Sequence, residues 1–168
     1  RAGQRLYGDK LRLRAELHIE YADGTKQVVA SDGSWKARTG AILEADIQDG
    51  ETYDARRGPA GWDKPGYDDS KWKKVKISQD IKTELDAYPG MPIRKTSEIK
   101  PVEMTEPKPG VFVFNLGQNF AGWARLKVKG NQGDKIVLRF AEMLNDDGTI
   151  YTTNLRGARV TDTYTLRG

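Results

Sequence analysis

The sequence predicts an all-β fold, most specifically an antiparallel β-sandwich of the jelly-roll type. Three observations support this prediction. Apolar residues recur at every second position in most apolar segments, no stretch longer than about ten residues keeps a helical period, and glycine-containing polar turns separate the segments. A length of 168 residues suits one well-packed domain, or one domain and part of a second.

The first strands form a predicted hairpin. Residues 11–21 alternate apolar side chains with arginine, glutamate and histidine, a pattern typical of a half-buried strand. A turn at residues 22–25 contains Asp-Gly, and Lys26–Ala30 supplies the returning strand. A second turn at residues 31–33 is followed by continued alternation through residues 35–39.

The middle of the chain has a less regular pattern. Residues 40–49 predict a loop with a short strand, and residues 50–70 have the glycine, proline, aspartate and aromatic content of an irregular loop. Short strands are predicted at residues 71–78 and 81–85. Five prolines in residues 88–110 restrict that stretch to extended edge or connecting segments. Because sites usually lie on loops, residues 50–70 are the first place to expect one.

The C-terminal part returns to short alternating segments. Turn-forming residues occupy positions 131–134 and 145–148. The strands predicted there cover residues 111–115, 123–129, 135–141 and 161–166. Turn spacing of this kind favours a sandwich.

Charge and composition argue against several classes of partner. The 28 basic and 24 acidic residues give a formal net charge of +4, spread along the chain, so nucleic acid is not a predicted partner. The lysine-rich segment 71–76 contains Trp72, as single-strand binders do, but it fits better an edge strand whose lysines prevent aggregation. No apolar run is long enough to span a bilayer, so no membrane partner is predicted. The lack of cysteine excludes disulfides and thiolate metal sites.

No catalytic residue is assigned. The chain has one histidine, His18, on the polar face of a predicted strand, and it carries no nucleophile-elbow, phosphate-loop or zinc-helix motif. Glycoside hydrolysis uses paired acids, and four carboxylates lie close in sequence: Asp46, Asp49, Glu51 and Asp54. Loop solvation and Asx turns explain the same residues, and we favour that interpretation.

An ordered series of short motifs runs through most of the chain. They are G-E-T-Y-D-A-R at 50–56, G-W-D at 61–63, P-G-Y-D-D-S at 65–70 and Trp72, then P-I-R at 92–94, I-K-P at 99–101, F-V-F-N-L-G-Q-N-F-A-G-W at 112–123, R-F-A-E at 139–142 and N-L-R-G-A at 154–158. In this order they resemble the bacterial α-L-rhamnosidases of glycoside hydrolase family 78. Each motif alone is weak, but their shared order over nearly the whole chain is specific.

The resemblance implies a division of roles between domains. Residues 1–93 would be the later part of the family's N-terminal β-sandwich and residues 94–168 the start of the following sandwich domain, with packing as one unit in this fragment as the alternative. Family members hydrolyse α-L-rhamnosides with inversion in a helical (α/α)6 barrel that lies C-terminal to the sandwiches, and the sequence contains no barrel. The chain is therefore expected to support the barrel of its parent chain and to be inactive alone. A secreted or periplasmic location is favoured over the cytoplasm.

The same resemblance implies an alternative function. Some relatives use such a sandwich as a carbohydrate-binding module that holds L-rhamnose through calcium, and the acidic loop offers oxygen ligands and an indole for this purpose. The residues expected to bind the optional calcium ion are Asp46 and Asp49, and those expected to bind the sugar are Glu51, Asp54, Arg56 and Trp62. No cofactor is required, and an L-rhamnose-containing glycan would be a weakly bound partner. The adjacent Asp-Asn pair of the binding relatives is absent, since Ile47 follows Asp46.

Structural interpretations compete with these assignments. Asp54 and Arg56 share a face of an extended chain, so they can pair with each other and order the loop. Trp62 can serve packing instead of sugar stacking. Polar residues beside glycines near the C-terminal motifs are expected to satisfy main-chain groups or to contact another domain. These interdomain candidates are Gln118, Asn119, Asn154 and Arg156.

Overall fold

The computed structural model describes residues 10–79 and 86–168, and it confirms the all-β prediction. In those ranges the regular elements are strands and two 3₁₀ helices of three residues each, Ala55–Arg57 and Thr153–Leu155. None of the described helices could cross a membrane. The strands are β1 (Glu16–Glu20), β2 (Lys26–Ala30), β3 (Lys36–Ala37), β4 (Ile42–Asp46), β5 (Gly50–Asp54), β6 (Lys73–Lys74), β7 (Glu103–Lys108), β8 (Val111–Asn115), β9 (Lys135–Arg139), β10 (Met143–Leu144), β11 (Ile150–Tyr151) and β12 (Thr161–Thr165).

The chain divides into two compact units. The first comprises Arg1–Arg38 and Gly61–Asp86, and it contains the β1–β2 hairpin and the β3–β6 pair. The second comprises Thr39–Ala60 and Ala87–Gly168, and it contains a four-stranded sheet with two further hairpins. The sheets are mostly antiparallel, in agreement with a β-sandwich. The division into domains at residue 93 stays a prediction.

The β1–β2 hairpin forms where the sequence predicts it, but its first strand is shorter. The register runs from Glu16 opposite Ala30 to Glu20 opposite Lys26, across a turn that contains Gly24 at φ +82°. Just before β1, the N–H of Ala15 donates to the hydroxyl of Ser31, the residue after β2, at 3.0 Å. Residues 11–14 are therefore outside the ladder, although their apolar alternation continues.

The four-stranded sheet of the second unit has the order β4-β5-β12-β9 and is mixed. Strand β12 is antiparallel to β9 but parallel to β5, and the other pairs among the described strands are antiparallel. In the parallel pair Tyr53 lies opposite Tyr164, and their rings stack with centroids 5.0 Å apart. The prediction of an irregular loop over residues 50–70 was wrong for its first five residues, because β5 is ordered by pairing with the adjacent β4 and with the distant β12.

The β7–β8 hairpin shows how a proline is tolerated in a sheet. β8 covers the predicted Val111–Asn115, and β7 lies within the proline-rich stretch. The ladder register shifts between Thr105 and Lys108, at the position of Pro107, so the missing proline N–H falls at an irregularity. β7 pairs only with β8 among the described strands, as expected for an edge element.

The remaining strand predictions had mixed outcomes. Residues 123–129 form no strand in the described chain, which corrects that prediction: alternation fixes the faces of a segment but does not supply a hydrogen-bonding neighbour. The strand predicted at 71–78 is reduced to Lys73–Lys74. The strand predicted at 81–85 lies outside the described residues. The turn at 145–148 is present and joins β10 to β11, two strands that the sequence did not predict.

Little of the apolar surface is buried. Among the described residues, the buried apolar ones are Ala41 and Ala55. Large side chains of the second unit remain exposed, including Met104 at 59%, Phe112 at 52% and Trp123 at 66% of their areas. Exposed apolar area on this scale is typical of a surface that another part of a protein covers.

A single glycine permits the closest approach in the four-stranded sheet. Gly50 has φ +97°, and a Cβ at this position would lie 2.2 Å from the main-chain oxygen of Thr161. Gly110, in the turn after β7, has φ +77°, but a Cβ there would meet open space. Both glycines have a left-handed backbone, but only Gly50 would also clash if it were replaced. Comparing substitutions at the two positions therefore distinguishes the cost of backbone strain from the cost of a steric clash.

We expect Gly50→Ala to lower the free energy of unfolding by at least about 2 kcal/mol, because strain and clash add. The matched control Gly110→Ala should cost about 1 kcal/mol, which is the backbone term alone. Urea unfolding of both variants, followed by circular dichroism, measures the difference. Equal losses in the two variants would show that Thr161 moves away without cost.

Candidate functional site

The turn between β4 and β5 carries the residues that the sequence assigned to a metal. Asp46 Oδ1 accepts hydrogen bonds from the N–H groups of Gln48 at 2.8 Å and of Asp49 at 2.9 Å. This is an Asx-type arrangement, in which a carboxylate satisfies main-chain donors of its own turn. One of the two carboxylate oxygens of Asp46 is thus used by the turn itself.

Asp49 ties this turn to the chain before β12. It is nearly buried, with 9% of its area exposed, and its Oδ1 accepts the N–H of Arg159 at 3.2 Å. The Arg159 guanidinium lies 3.5 Å from Asp49 Oδ2 and donates to Glu44 Oε1 at 2.5 Å. Main-chain bonds from Val160 to Gln48 and from Thr161 to Asp49 close the same junction. The carboxylate of Asp49 therefore has a structural charge partner.

The residues present do not fit a calcium site. In the described ranges, no three histidine, cysteine or acidic side chains are grouped so that they could hold a metal ion. Calcium takes six to eight oxygen ligands, whereas the carboxylates of Asp46 and Asp49 accept hydrogen bonds from the turn and from Arg159. Calcium binding by Asp46 and Asp49 stays a prediction, and the described geometry does not support it.

An open depression of about 470 Å³ adjoins the turn. It joins the turn and β5 to the ends of β9 and β12. Asp162 is one of its lining residues, and its Oδ1 accepts the N–H of Glu51 at 2.8 Å across 111 positions of sequence. Its lining includes two predicted residues, Asp46 and Glu51, together with Gln48, Phe140 and Asp162. Carboxylates, an amide and an aromatic ring are thus gathered on one surface.

Asp54 and Arg56 are bonded to each other. The guanidinium of Arg56 donates from Nε and from Nη2 to the two oxygens of Asp54, each at 2.8 Å. Asp54 Oδ1 also caps the following 3₁₀ helix by accepting the N–H of Arg56 at 3.1 Å. Side-chain hydrogen bonding from Arg56 is the main cause that lowers the pKa of Asp54 to about 2. This is the ion pair that the structural interpretation of the motif expected.

Arg167 holds the segment that follows. Its Nε donates to the main-chain oxygen of Ala55 at 2.9 Å, and its Nη2 donates to that of Gly58 at 2.8 Å. The carbonyls at the end of the short helix are thereby satisfied by a side chain 112 positions away in the sequence. The Y-D-A-R motif is consequently an ordered corner of the sheet, and sugar binding by Asp54 and Arg56 stays a prediction.

The aromatic candidates lie in the first unit. Trp62 is 61% exposed, whereas Asp46 to Arg56 belong to the second unit, so the predicted sugar loop is not a segment of one unit. Trp72 packs edge-on against Tyr67, with ring centroids 5.9 Å apart. Its indole N–H is buried and has no hydrogen-bond partner among the described residues. Packing is therefore the better description of Trp72.

The interdomain candidates all lie in the second unit, with exposed side chains. Arg156 has φ +55°, in the left-handed region, just after the 3₁₀ helix Thr153–Leu155. A non-glycine residue seldom adopts this conformation, so the local chain fixes the direction of its side chain at some cost. The interdomain role of Gln118, Asn119, Asn154 and Arg156 stays a prediction.

Sequence reasoning missed the residues that complete these groups. Arg159, Asp162 and Arg167 lie more than a hundred positions from their partners, and no local pattern marks them. Phe140 was noticed only as part of a motif. The one histidine, His18, contacts Glu16 at 3.1 Å on an exposed strand, in keeping with a solvated side chain.

Fold and site together define an all-β region of the sandwich type, whose acidic residues are largely bound by its own strands. The family follows from sequence comparison. Residues 1–97 match the α-L-rhamnosidase N-terminal domain, and residues 105–168 match the bacterial α-L-rhamnosidase concanavalin-like domain. The chain therefore belongs to the bacterial α-L-rhamnosidase family, as its motifs predicted.

Several relatives resemble the chain over most of its length. An α-L-rhamnosidase of Streptomyces avermitilis is 49% identical over 99% of this chain and 16% of its own. The crystal structure of a Streptomyces avermitilis α-L-rhamnosidase complexed with L-rhamnose superimposes with a TM-score of 0.85 at 50% identity, covering 92% of this chain and 15% of that one. For a native α-L-rhamnosidase from Aspergillus terreus, the TM-score is 0.82 at 35% identity, over 97% and 19%. The chain thus spans about a sixth of the length of these relatives.

The depressed pKa of Asp54 predicts a specific acid sensitivity. Because its folded pKa lies below the ordinary value of 3.8, the pair stabilises the fold above about pH 4 and ceases to do so as pH falls through about 2. Asp54→Asn keeps a capping oxygen but removes the charge. We expect it to unfold at lower urea than the wild type at pH 7, and the difference to shrink as the pH falls from about 4 towards 2.

The matched control is Asp146→Asn, an exposed carboxylate in the turn between β10 and β11 of the same unit. It should show no such pH-dependent difference. A difference for Asp54→Asn that stays constant between pH 7 and pH 2 would mean that the pair with Arg56 is not the cause.

Proposed function

We propose that the chain is a non-catalytic β-sandwich region of an α-L-rhamnosidase and supports the catalytic barrel of the same parent chain. The observation that carries this proposal is the match of its two parts to two α-L-rhamnosidase domains, over about a sixth of the relatives' length. The parent would hydrolyse terminal α-L-rhamnose from glycosides or polysaccharides. The exposed apolar side chains of the second unit supply the area that a neighbouring domain would cover.

The arrangement of acidic residues also supports a non-catalytic role. A general acid and base for glycoside hydrolysis need two carboxyl groups that face one sugar with room for water. Asp54 is engaged by Arg56, and Asp49 by Arg159. Asp162 accepts a main-chain N–H. These carboxylates hold strands and turns together, so they are poorly placed to exchange protons with a substrate.

We expect the 168-residue chain to release no p-nitrophenol from p-nitrophenyl α-L-rhamnoside above the blank, because the groups that would catalyse the reaction belong to the barrel. An intact α-L-rhamnosidase serves as the positive control. Turnover that survives repurification and disappears in Glu51→Gln would overturn the proposal. The supporting role is checked by deleting the matching segment from the Streptomyces avermitilis relative, which should lower its melting temperature; an unchanged melting temperature would argue against support.

A second candidate function is weak binding of L-rhamnose. The specific observation in its favour is the depression beside the β4–β5 turn, where Asp46, Gln48 and Glu51 offer hydroxyl partners and Phe140 offers an apolar ring. In this proposal the apolar face of the sugar is covered by Phe140, instead of the Trp62 that the sequence predicted. A monosaccharide makes few contacts, so binding should be weak. The dissociation constant should lie in the range from about 10 μM to 1 mM, or above it.

NMR titration of L-rhamnose into the chain tests this second function. Shifts should map to residues around the depression, and Glu51→Gln should weaken binding at least about fivefold. A chelator should change nothing, because the described residues contain no acidic cluster that could hold a metal ion. Glu103→Gln, an exposed carboxylate on β7, is the control and should bind as the wild type does. Absence of shifts in the folded chain would leave the structural role alone.

A further inference from the structure

One face of the four-stranded sheet carries polar side chains on all four strands, with the exposed Val137 of β9 lying among them. Side chains alternate along a strand, so Thr161 and Thr163 of β12 point away from the Tyr164 side. The parallel register sets Thr52 of β5 beside Thr163, and the antiparallel register sets Arg139 of β9 beside Thr161. We call this surface the threonine face; its polar residues are Glu44, Thr52, Arg139, Thr161 and Thr163, and Val137 is its apolar member on β9.

The threonine face offers hydrogen-bonding groups that the protein does not use itself. Within the described residues, the side chains of Thr52, Thr163 and Arg139 make no hydrogen bond or ion pair. The three threonines are half-buried and Arg139 is exposed. Half-buried hydroxyls on strands are held in place by the sheet, so they present donors and acceptors at fixed positions.

At the β4 edge of the threonine face, charged side chains already pair with one another. The guanidinium of Arg159 is held between Glu44, at 2.5 Å, and Asp49, at 3.5 Å. These groups and the threonines line a depression of about 210 Å³, with Arg139 on its other side. The depression thus has Arg139 at one end, the Glu44 and Asp49 carboxylates with Arg159 between them at the other, and hydroxyls in the middle.

This order of groups matches an acidic sugar better than other anions. A carboxylate binds a guanidinium through two parallel hydrogen bonds. The ring hydroxyls of the same sugar can donate to Glu44 and exchange hydrogen bonds with threonines on neighbouring strands, about 4.8 Å apart. Nucleic acid is disfavoured, because phosphate binding needs a positive surface and two carboxylates lie here.

We propose that the threonine face binds a uronic acid residue of an acidic glycan, with the sugar carboxylate on Arg139 and its hydroxyls on Thr52, Thr163 and Glu44. This function goes beyond support of a barrel and beyond L-rhamnose binding. It also uses a different surface, since Asp162 and Glu51 of the first depression alternate with the threonines and lie on the opposite face.

The test is an NMR titration of the 168-residue chain with a trimer of galacturonic acid, compared with the methyl ester of the same trimer. The ester keeps the hydroxyls but removes the negative charges. We expect shifts at Thr52, Thr161 and Thr163 with the acid, and binding at least about tenfold weaker with the ester. Equal binding of acid and ester would overturn the proposal, as would the absence of shifts in the folded chain.

Two matched variants separate a built site from general attraction to a basic chain. Arg139→Gln should weaken binding of the acid at least about tenfold. Lys135→Gln removes one charge from the same strand, four residues or about 13 Å away, beyond the screening length near 8 Å at physiological salt. It should therefore bind as the wild type does. Equal weakening in both variants would mean non-specific attraction and would refute the site.

Thr163→Val tests the hydroxyls without changing charge. The substitution keeps the shape of the side chain and its preference for a strand, so the sheet should remain intact, as amide spectra will show. Binding of the acid should weaken about threefold to tenfold. Unchanged affinity in a folded Thr163→Val would show that the threonines take no part, and the proposed face would be wrong.

Discussion

The parallel pairing of β5 with β12 is the interaction on which the second unit depends. It joins chain segments that are 111 positions apart, and it is stabilised by the stacked rings of Tyr53 and Tyr164. Gly50 allows the strands to approach where a larger residue would meet the Thr161 carbonyl. Arg159, Asp162 and Arg167 reach their distant partners only because this pair exists. Both depressions are products of the same pairing.

The acidic residues of the β4–β5 region show why residue type alone is a poor guide to chemistry. Asp46 closes a turn, Asp49 holds Arg159 and Asp54 caps a helix while pairing with Arg56. Each of these roles uses lone pairs that a metal or a sugar would also need. A carboxylate that satisfies such donors contributes to folding, and the lowered pKa of Asp54, caused mainly by the side-chain hydrogen bonds from Arg56, reflects that contribution.

Local signals in the sequence predicted what depends on near neighbours. Lys26–Ala30 and Val111–Asn115 were found with their bounds, because alternation and an adjacent turn specify both strands of a hairpin. β5 was missed although β4 is adjacent, because its second partner, β12, is remote, and residues 123–129 were overpredicted since alternation does not provide a partner. The order of motifs identified the family. The Asp54–Arg56 pair was foreseen as one of two readings, but Arg139 and Asp162 could not be found before the sheet register was known.

The distance along the chain between β5 and β12 also has a consequence in time. At about 5 to 20 residues per second, a ribosome needs roughly 6 to 20 seconds to add the 111 residues that separate them. During that interval β5 can pair only with β4, and the face of Tyr53 that will meet Tyr164 stays uncovered. An open strand edge with an aromatic side chain is prone to aggregate. The rate of translation through the proline-rich stretch therefore affects how this sheet folds, and so do the chaperones that bind the unfinished chain.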